Sequence, residues 1–183
     1  MTFSRVLIVA IFTLLIGGCS SVKVTDYRDN KPVMVLESFF NGLLVGHGVI
    51  KNRSGKVIRS FSVDIKASWE NGVGTLDENF IFNDGETQQR IWTLTKNVDG
   101  SYSGTAGDVV GQARIHASGN SLFLDYLLTI NYDGNEIDLR IDDRMYLLTD
   151  RLLLNESTLL KWGFEVGEII LTIENISEEA LAN

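Results

Sequence analysis

The sequence holds one cysteine, one proline and two histidines in 183 residues. A single thiol excludes a disulfide framework and a cysteine-based zinc site, because either needs several thiols. The two histidines, His47 and His116, lack metal-ligand spacing, and no cofactor motif accompanies them. There is no run of Lys or Arg, and 16 bases face 24 acids for a net charge of -8. That balance excludes a nucleic-acid partner, whose binding depends on phosphate neutralisation. The uncharged apolar run Val6–Ile16 is too short for a transmembrane helix, which needs roughly 20 residues. What is present, 44% apolar and 22% charged residues, is the composition of one globular domain.

Arg5, the apolar run and Gly17-Gly18-Cys19-Ser20 follow one another in the order of a secretory leader. Ile16-Gly17-Gly18-Cys19 looks like a bacterial lipobox, in which the cysteine thiol is acylated and Cys19 becomes the first residue of the mature chain. Residues 1–18 are then a signal peptide, and the membrane is a partner through acylated Cys19. Ser20 follows the cysteine where Asp would favour inner-membrane retention. The resemblance therefore implies an outer-membrane lipoprotein facing the periplasm. One acyl chain anchors marginally and two or more anchor stably. Residues 19–34 are polar, carry the lone Pro32 and read as a tether. With no second thiol, the folded domain of residues 35–173 must be stabilised by its core.

From Leu43 to Ile173 apolar and polar residues alternate in short runs. Turn signals punctuate them at Ser54-Gly55, Asn71-Gly72, Asp84-Gly85, Asp99-Gly100, Gly119-Asn120 and Asp133-Gly134. This is the pattern of an all-β antiparallel meander. A short helix over Leu36–Asn41 precedes it, Leu152–Leu160 is ambiguous, and residues 174–183 read as an acidic C-terminal tail.

The hairpin registers agree with one buried face. A two-residue Asn71-Gly72 turn pairs Val63 with Phe80 and Phe61 with Phe82. A three-residue Asn83-Asp84-Gly85 loop pairs Leu76 with Trp92 and Glu78 with Arg90; a two-residue turn there would instead bring Ile91 inward. The loop at Val98-Asp99-Gly100 pairs Trp92 with Ala106 and Leu94 with Gly104. Gly119-Asn120 pairs Ile115 with Leu124 and Ala113 with Tyr126, and Asp133-Gly134 pairs Tyr126 with Ile141 and Leu128 with Leu139. A sheet this wide tends to close and lose its edges, so an up-and-down barrel is expected, with a two-sheet sandwich as the alternative.

Several ordered segments carry a family resemblance: Asn52-Arg53-Ser54-Gly55-Lys56, Leu76-Asp77-Glu78-Asn79-Phe80, Arg90-Ile91-Trp92, Gly104 to Gly111, Asp142-Asp143-Arg144-Met145-Tyr146-Leu147 and Val166-Gly167-Glu168. They resemble an uncharacterised family of short proteobacterial lipoproteins with a lipocalin-like barrel. The chain departs from that pattern at Ser60, Arg144 and Glu156, where Arg, Trp and Arg are usual. The resemblance implies fold and location and carries no activity.

A three-residue Arg53-Ser54-Gly55 loop would pair Val49 with Arg59 and His47 with Phe61. The inner face then carries His47, Arg59, Glu78 and Arg90, joined by Asp143, which shares the parity of Leu139 and Ile141. His116 falls outside. Charges on an apolar face are costly unless paired or solvated, and two readings follow. In one, Arg59 and Arg90 receive a carboxylate or phosphate head group while Trp69, Trp92 and Tyr126 contact an apolar body. In the other, Glu78 and Asp143 satisfy the arginines in a structural network.

The doublets Asp77-Glu78 and Asp142-Asp143 point to opposite faces. Only a cross-strand pair such as Glu78 with Asp143 would serve acid/base chemistry. Gly100-Ser101-Tyr102-Ser103-Gly104 has Tyr in the nucleophile position. Gly104–Gly111 lacks the Lys-Ser or Lys-Thr of a P-loop and reads as a tight corner, with Asp108 bonding nearby backbone amides. The expectation is a lipid-anchored barrel binding a small amphiphilic or apolar molecule, such as a lipid or fatty acid, without changing it. The alternatives are a filled barrel that docks another protein, and an enzyme acting on an amphiphile.

Overall fold

The computed structural model of the protein describes residues 21–132 and 134–177. The expectations for the leader, for Cys19 and for the tail from residue 178 lie outside these residues. Ten strands close into one antiparallel barrel in which sequence neighbours pair all the way round. They are β1 (Gly42–Asn52), β2 (Val57–Glu70), β3 (Val73–Phe82), β4 (Thr87–Lys96), β5 (Tyr102–Thr105), β6 (Val109–Ser118), β7 (Ser121–Tyr132), β8 (Asn135–Leu147), β9 (Leu152–Lys161) and β10 (Phe164–Asn175). β1 pairs with β10 to complete the ring, so the sandwich alternative does not hold. Leu152–Leu160, left open by periodicity, is strand β9.

The registers predicted from the turns hold where the loop alone sets them. Val63 lies opposite Phe80 and Phe61 opposite Phe82. Glu78 lies opposite Arg90 and Leu76 opposite Trp92, and Tyr126 faces Ile141. Side chains alternate between wall and lumen with period two, so these pairs place Ile65, Leu124, Ile141 and their neighbours in one continuous interior.

Bulges break the expected register in two places. Near the first hairpin Lys51 pairs with Val57, as a three-residue loop requires, but Ile50 then pairs with Arg59, leaving Ile58 as an extra residue. One inserted residue flips every later side chain to the other face. His47 therefore lies opposite Ser62 and is exposed on the outer wall, contrary to its predicted inward position. Gly48 takes the inward place against Phe61, where a Cβ would come within 2.5 Å of the ring. The second bulge, at Gly111–Ala113, removes the expected Ala113–Tyr126 pair: Val110 lies opposite Leu127 and Arg114 opposite Asp125. The Trp92–Ala106 pair is also absent, because β5 ends at Thr105.

The short N-terminal helix α1 (Leu36–Phe39) closes one end of the barrel. Trp69 Nε1 donates to the Phe40 carbonyl at 2.8 Å, and Asn175 Nδ2 donates to the carbonyls of Phe39 (2.8 Å) and Asn41 (3.0 Å). The Glu37 carboxylate accepts from Lys96 Nζ and Tyr102 OH, both at 2.6 Å. We call this end the base. The opposite end, the rim, is formed by the loops after β1, β3, β5, β7 and β9.

The segment expected as a tether touches the barrel wall at Tyr27 and Met34. A 3-10 turn, Val24–Tyr27, sets the Tyr27 ring 5.8 Å from Phe123 and 5.4 Å from Tyr146. Met34 N–H donates to the Gly119 carbonyl at 2.7 Å. A Cβ on Gly119 would meet the Tyr27 carbonyl, so a glycine is needed for this crossing. The apolar Met34 and the aromatic Tyr27 supply the burial that a polar tether would lack. At the other terminus Glu174 and Asn175 belong to β10, so the predicted tail begins two residues too early.

Candidate functional site

Halfway along the lumen the apolar lining gives way to a polar belt. β3 supplies Glu78, β4 Arg90, β7 Tyr126, β8 Asp143 and β9 Asn155 and Ser157, all bordering one cavity of about 120 Å³. Leu36 and Phe40 from the base form its floor, and Trp92, Leu124 and Met145 line its sides. Trp92 and Tyr126 meet edge to face, 5.4 Å between ring centroids.

The belt holds more acid than base. Arg90 is clamped by Asp108, from the loop after β5: Nε donates at 3.0 and 2.9 Å to the two carboxylate oxygens, and Nη2 donates at 2.7 Å to Oδ2. Glu78 lies opposite on the neighbouring strand, but its carboxylate is 3.9 Å from Arg90 Nη1, too far for a hydrogen bond. Asp143 is buried at 5% exposure, and its Oδ1 accepts from Asn155 Nδ2 and, at 2.9 Å, from Ser157 Oγ. The belt thus sets three carboxyls against one guanidinium, which only Asp108 bonds directly.

The protonation equilibria follow from this imbalance. Burial pushes Glu78 up to about 7; Arg90 and the Trp92 N–H oppose the shift, while Asp143 and Asp108 add to it. Burial likewise raises Asp143 to about 6 against the bonds from Asn155 and Ser157. Tyr126 is driven well above its ordinary value, first by burial and then by the Asp143 charge. For Arg90 burial disfavours the cation, but Asp108 and Glu78 outweigh it and keep the guanidinium charged. Two carboxyls poised near neutrality in one cavity are able to hold a proton, donate a hydrogen bond or face a cation.

Of the residues singled out in the sequence, Glu78, Arg90, Trp92, Tyr126 and Asp143 meet at this cavity, and three do not. His47 faces solvent on the outer wall. Arg59 shares the inner face but sits at the rim, bound to Asp84 (2.7 Å, twice) and Glu86 (2.6 Å), with its guanidinium 3.7 Å from the Phe82 ring centroid. It takes no part in a network with Glu78 or Asp143. Trp69 points inward but is the last inner residue before the Asn71-Gly72 turn, so it packs on Phe40 and Tyr102 at the base.

Three contributors were missed. Asp108, expected to bond backbone amides, instead reaches back to Arg90; its loop position gives no register from which to infer this. Asn155 and Ser157 share the odd-numbered parity of Leu153 and Leu159. That signal becomes readable once β9 is recognised as a strand. Among the described residues no group of three His, Cys, Asp or Glu side chains is arranged to hold a metal ion, and no helix is long and apolar enough to cross a membrane.

These features define a class: a closed ten-stranded barrel, plugged at one end, with an acidic belt around a small lumenal cavity. The chain belongs to the family described as protein of unknown function DUF3833, whose model matches residues 13–175. It is similar in fold to the crystal structure of a protein of unknown function from the DUF3598 family of Nostoc punctiforme PCC 73102. That likeness has a TM-score of 0.52 at 15% identity, covering 80% of this chain and 51% of the other. The chain thus spans about half the length of that protein. No curated protein matches the sequence.

Proposed function

We propose that the protein is an outer-membrane lipoprotein, anchored through Cys19 and facing the periplasm, that holds a small ligand in its lumen without chemically altering it. The observation that carries the ligand-holding part is the cavity itself, apolar at its floor and bordered halfway up by polar groups with unused hydrogen-bonding capacity; the anchor rests on the Ile16-Gly17-Gly18-Cys19 motif alone. Ligand sites combine these two features. A volume of about 120 Å³ is close to that of cavities that admit benzene, so the occupant is a small molecule or the end of a larger amphiphile. A fatty-acid carboxylate fits the belt poorly. Asp108 already occupies Arg90, and Asp84 and Glu86 occupy Arg59.

Native mass spectrometry of the gently extracted protein, compared with Trp92→Ala, tests the ligand. A small adduct present in wild type and depleted in the variant is the expected result; a bare, dry interior in both would count against it. Metabolic labelling with an alkyne fatty acid tests the anchor, and the label should disappear in Cys19→Ser.

A second reading, a filled barrel that docks another protein, draws on the rim. There Trp162 is 88% exposed, Phe164 68% and Tyr132 62%, an unusual amount of aromatic surface to leave in water. Crosslinking in cells that captured one reproducible partner through these residues, with no extracted small molecule, would favour it.

A further inference from the structure

We infer that the lumenal cavity selects a small organic cation, a protonated amine with about six non-hydrogen atoms, whose charged end sits between Glu78 and Asp143 and whose apolar body rests on Trp92 and Tyr126. This rests on the ligand-holding reading above and narrows it to one charge class.

The first support is the count of charges. Arg90 has its short contacts to Asp108 alone, which leaves Glu78 and Asp143 as two carboxyls with no cation in hydrogen-bonding contact. Buried negative charge is costly unless matched by a cation or a proton. The second is direction. Both acids border the cavity, and the bonds from Asn155 and Ser157 converge on Asp143 Oδ1, leaving Oδ2 for a partner from the cavity. Among the described residues no fully buried side-chain polar atom is left without a partner, so the unbonded oxygens lie on the cavity surface. The third is the aromatic pair. Ring faces attract cations as well as apolar groups, and Trp92 and Tyr126 stand at the belt. An anion would meet both acids and a single guanidinium already clamped by Asp108.

Without a bound cation, protons on the two acids would offset their charge. The groups facing Glu78 are Arg90 and Trp92 on β4, Tyr126 on β7, Asp143 on β8 and Asp108 from the loop after β5, while β2 offers Ile65 opposite it. Because burial holds Glu78 near 7 and Asp143 near 6, a bound ammonium would displace protons. Affinity should rise with pH from 5 to 7, by up to about a hundredfold per unit below pH 6, where both acids carry protons, and by up to about tenfold per unit between 6 and 7.

The test uses the full chain and three probes of matched size: n-butylammonium, n-butanol and n-butyrate. Binding is followed by titration calorimetry and by the Trp92 indole resonance. The expected result is saturable binding of butylammonium, at least tenfold weaker binding of butanol and none of butyrate. Glu78→Gln and Asp143→Asn should each weaken butylammonium at least tenfold, and His116→Ala on the outer wall should not change it. Proton release, measured on wild type in two buffers of different ionisation enthalpy, gives a readout that does not depend on the variants folding.

Equal binding of butanol and butylammonium, without proton release, would overturn the charge preference and leave a ligand-holding barrel standing. Binding of butyrate in preference to butylammonium would reverse the sign of the inference. If no probe enters and native mass spectrometry finds no adduct, both the inference and the reading beneath it fall.

Discussion

The base and the belt of the same lumen are built on opposite terms. At the base the polar groups that hold the plug are paired: the Trp69 indole with Phe40, the Asn175 amide with Phe39 and Asn41, and Glu37 with Lys96 and Tyr102. Leu36 and Phe39 bury their side chains against this frame. One level up, the half-buried Glu78 and the buried Asp143 have less cationic compensation than their charge requires. A satisfied region stabilises the fold, and an unsatisfied one is where a folded chain keeps chemistry in reserve. The comparison predicts that trimming the base should weaken the protein, whereas neutralising the belt should strengthen it.

The largest effect should come from the base. Trp69→Ala removes the ring that packs on Tyr102 and the donor to Phe40, and should cost about 3–4 kcal/mol of unfolding free energy in urea. Trp69→Phe keeps most of the packing and should cost about 1 kcal/mol. If both variants melt like wild type, the base is not the support that its hydrogen bonds imply.

The belt should respond to pH in the opposite sense to most carboxylates. Glu78 has its folded value near 7, above its ordinary 4.5. Below pH 4.5 it is protonated in both states and exerts no pull. Between 4.5 and 7 the unfolded chain ionises while the folded one keeps its proton, so stability falls as pH rises. Above 7 the whole cost stands, about 3 kcal/mol for this group. Asp143, moved from 3.8 to about 6, adds to the slope in the lower half of the window. Asp84 and Asp99 are held low by their partners, Arg59 and Ser101, and lose their contribution only at more acid pH. Unfolding midpoints should therefore rise from pH 8 to pH 5 in ligand-free protein, and Glu78→Gln should flatten most of that rise.

How much of this was legible in the sequence depended on what set each register. Glu78 and Arg90 face one another because Asn83-Asp84-Gly85 fixes a three-residue loop, and Asp143 follows from parity with Ile141; both were readable. His47 was misplaced because the bulge at Ile58 carries no local mark, although the inward-facing Gly46 and Gly48 beside it were a hint. Asn155 and Ser157 were hidden because the β8–β9 connection, Leu148 to Arg151, contains no Gly or Pro to announce a turn. Asp108 could not be read from strand alternation at all, since it enters from a loop. Cavity size was equally out of reach, because it depends on how Phe61, Phe80 and Trp92 share volume across the lumen.

The smallest predicted effect sharpens the contrast between two arginines on one inner face. Arg90 is 15% exposed and held mainly by Asp108, itself 22% exposed; Asp108→Asn would leave the guanidinium facing only the more distant Glu78 and should cost about 2 kcal/mol. Arg59 has just as many carboxylate contacts, but its partners Asp84 and Glu86 are more than half exposed at the rim. Water and salt compete for such pairs, so Arg59→Gln should leave the melting temperature within about 2 °C of wild type. Thermal melts of the two variants at low and high salt decide the matter. A large loss in Arg59→Gln would mean that the rim stabilises the barrel as strongly as the base does. The belt would then be the one level of the barrel where charge is held back from the fold.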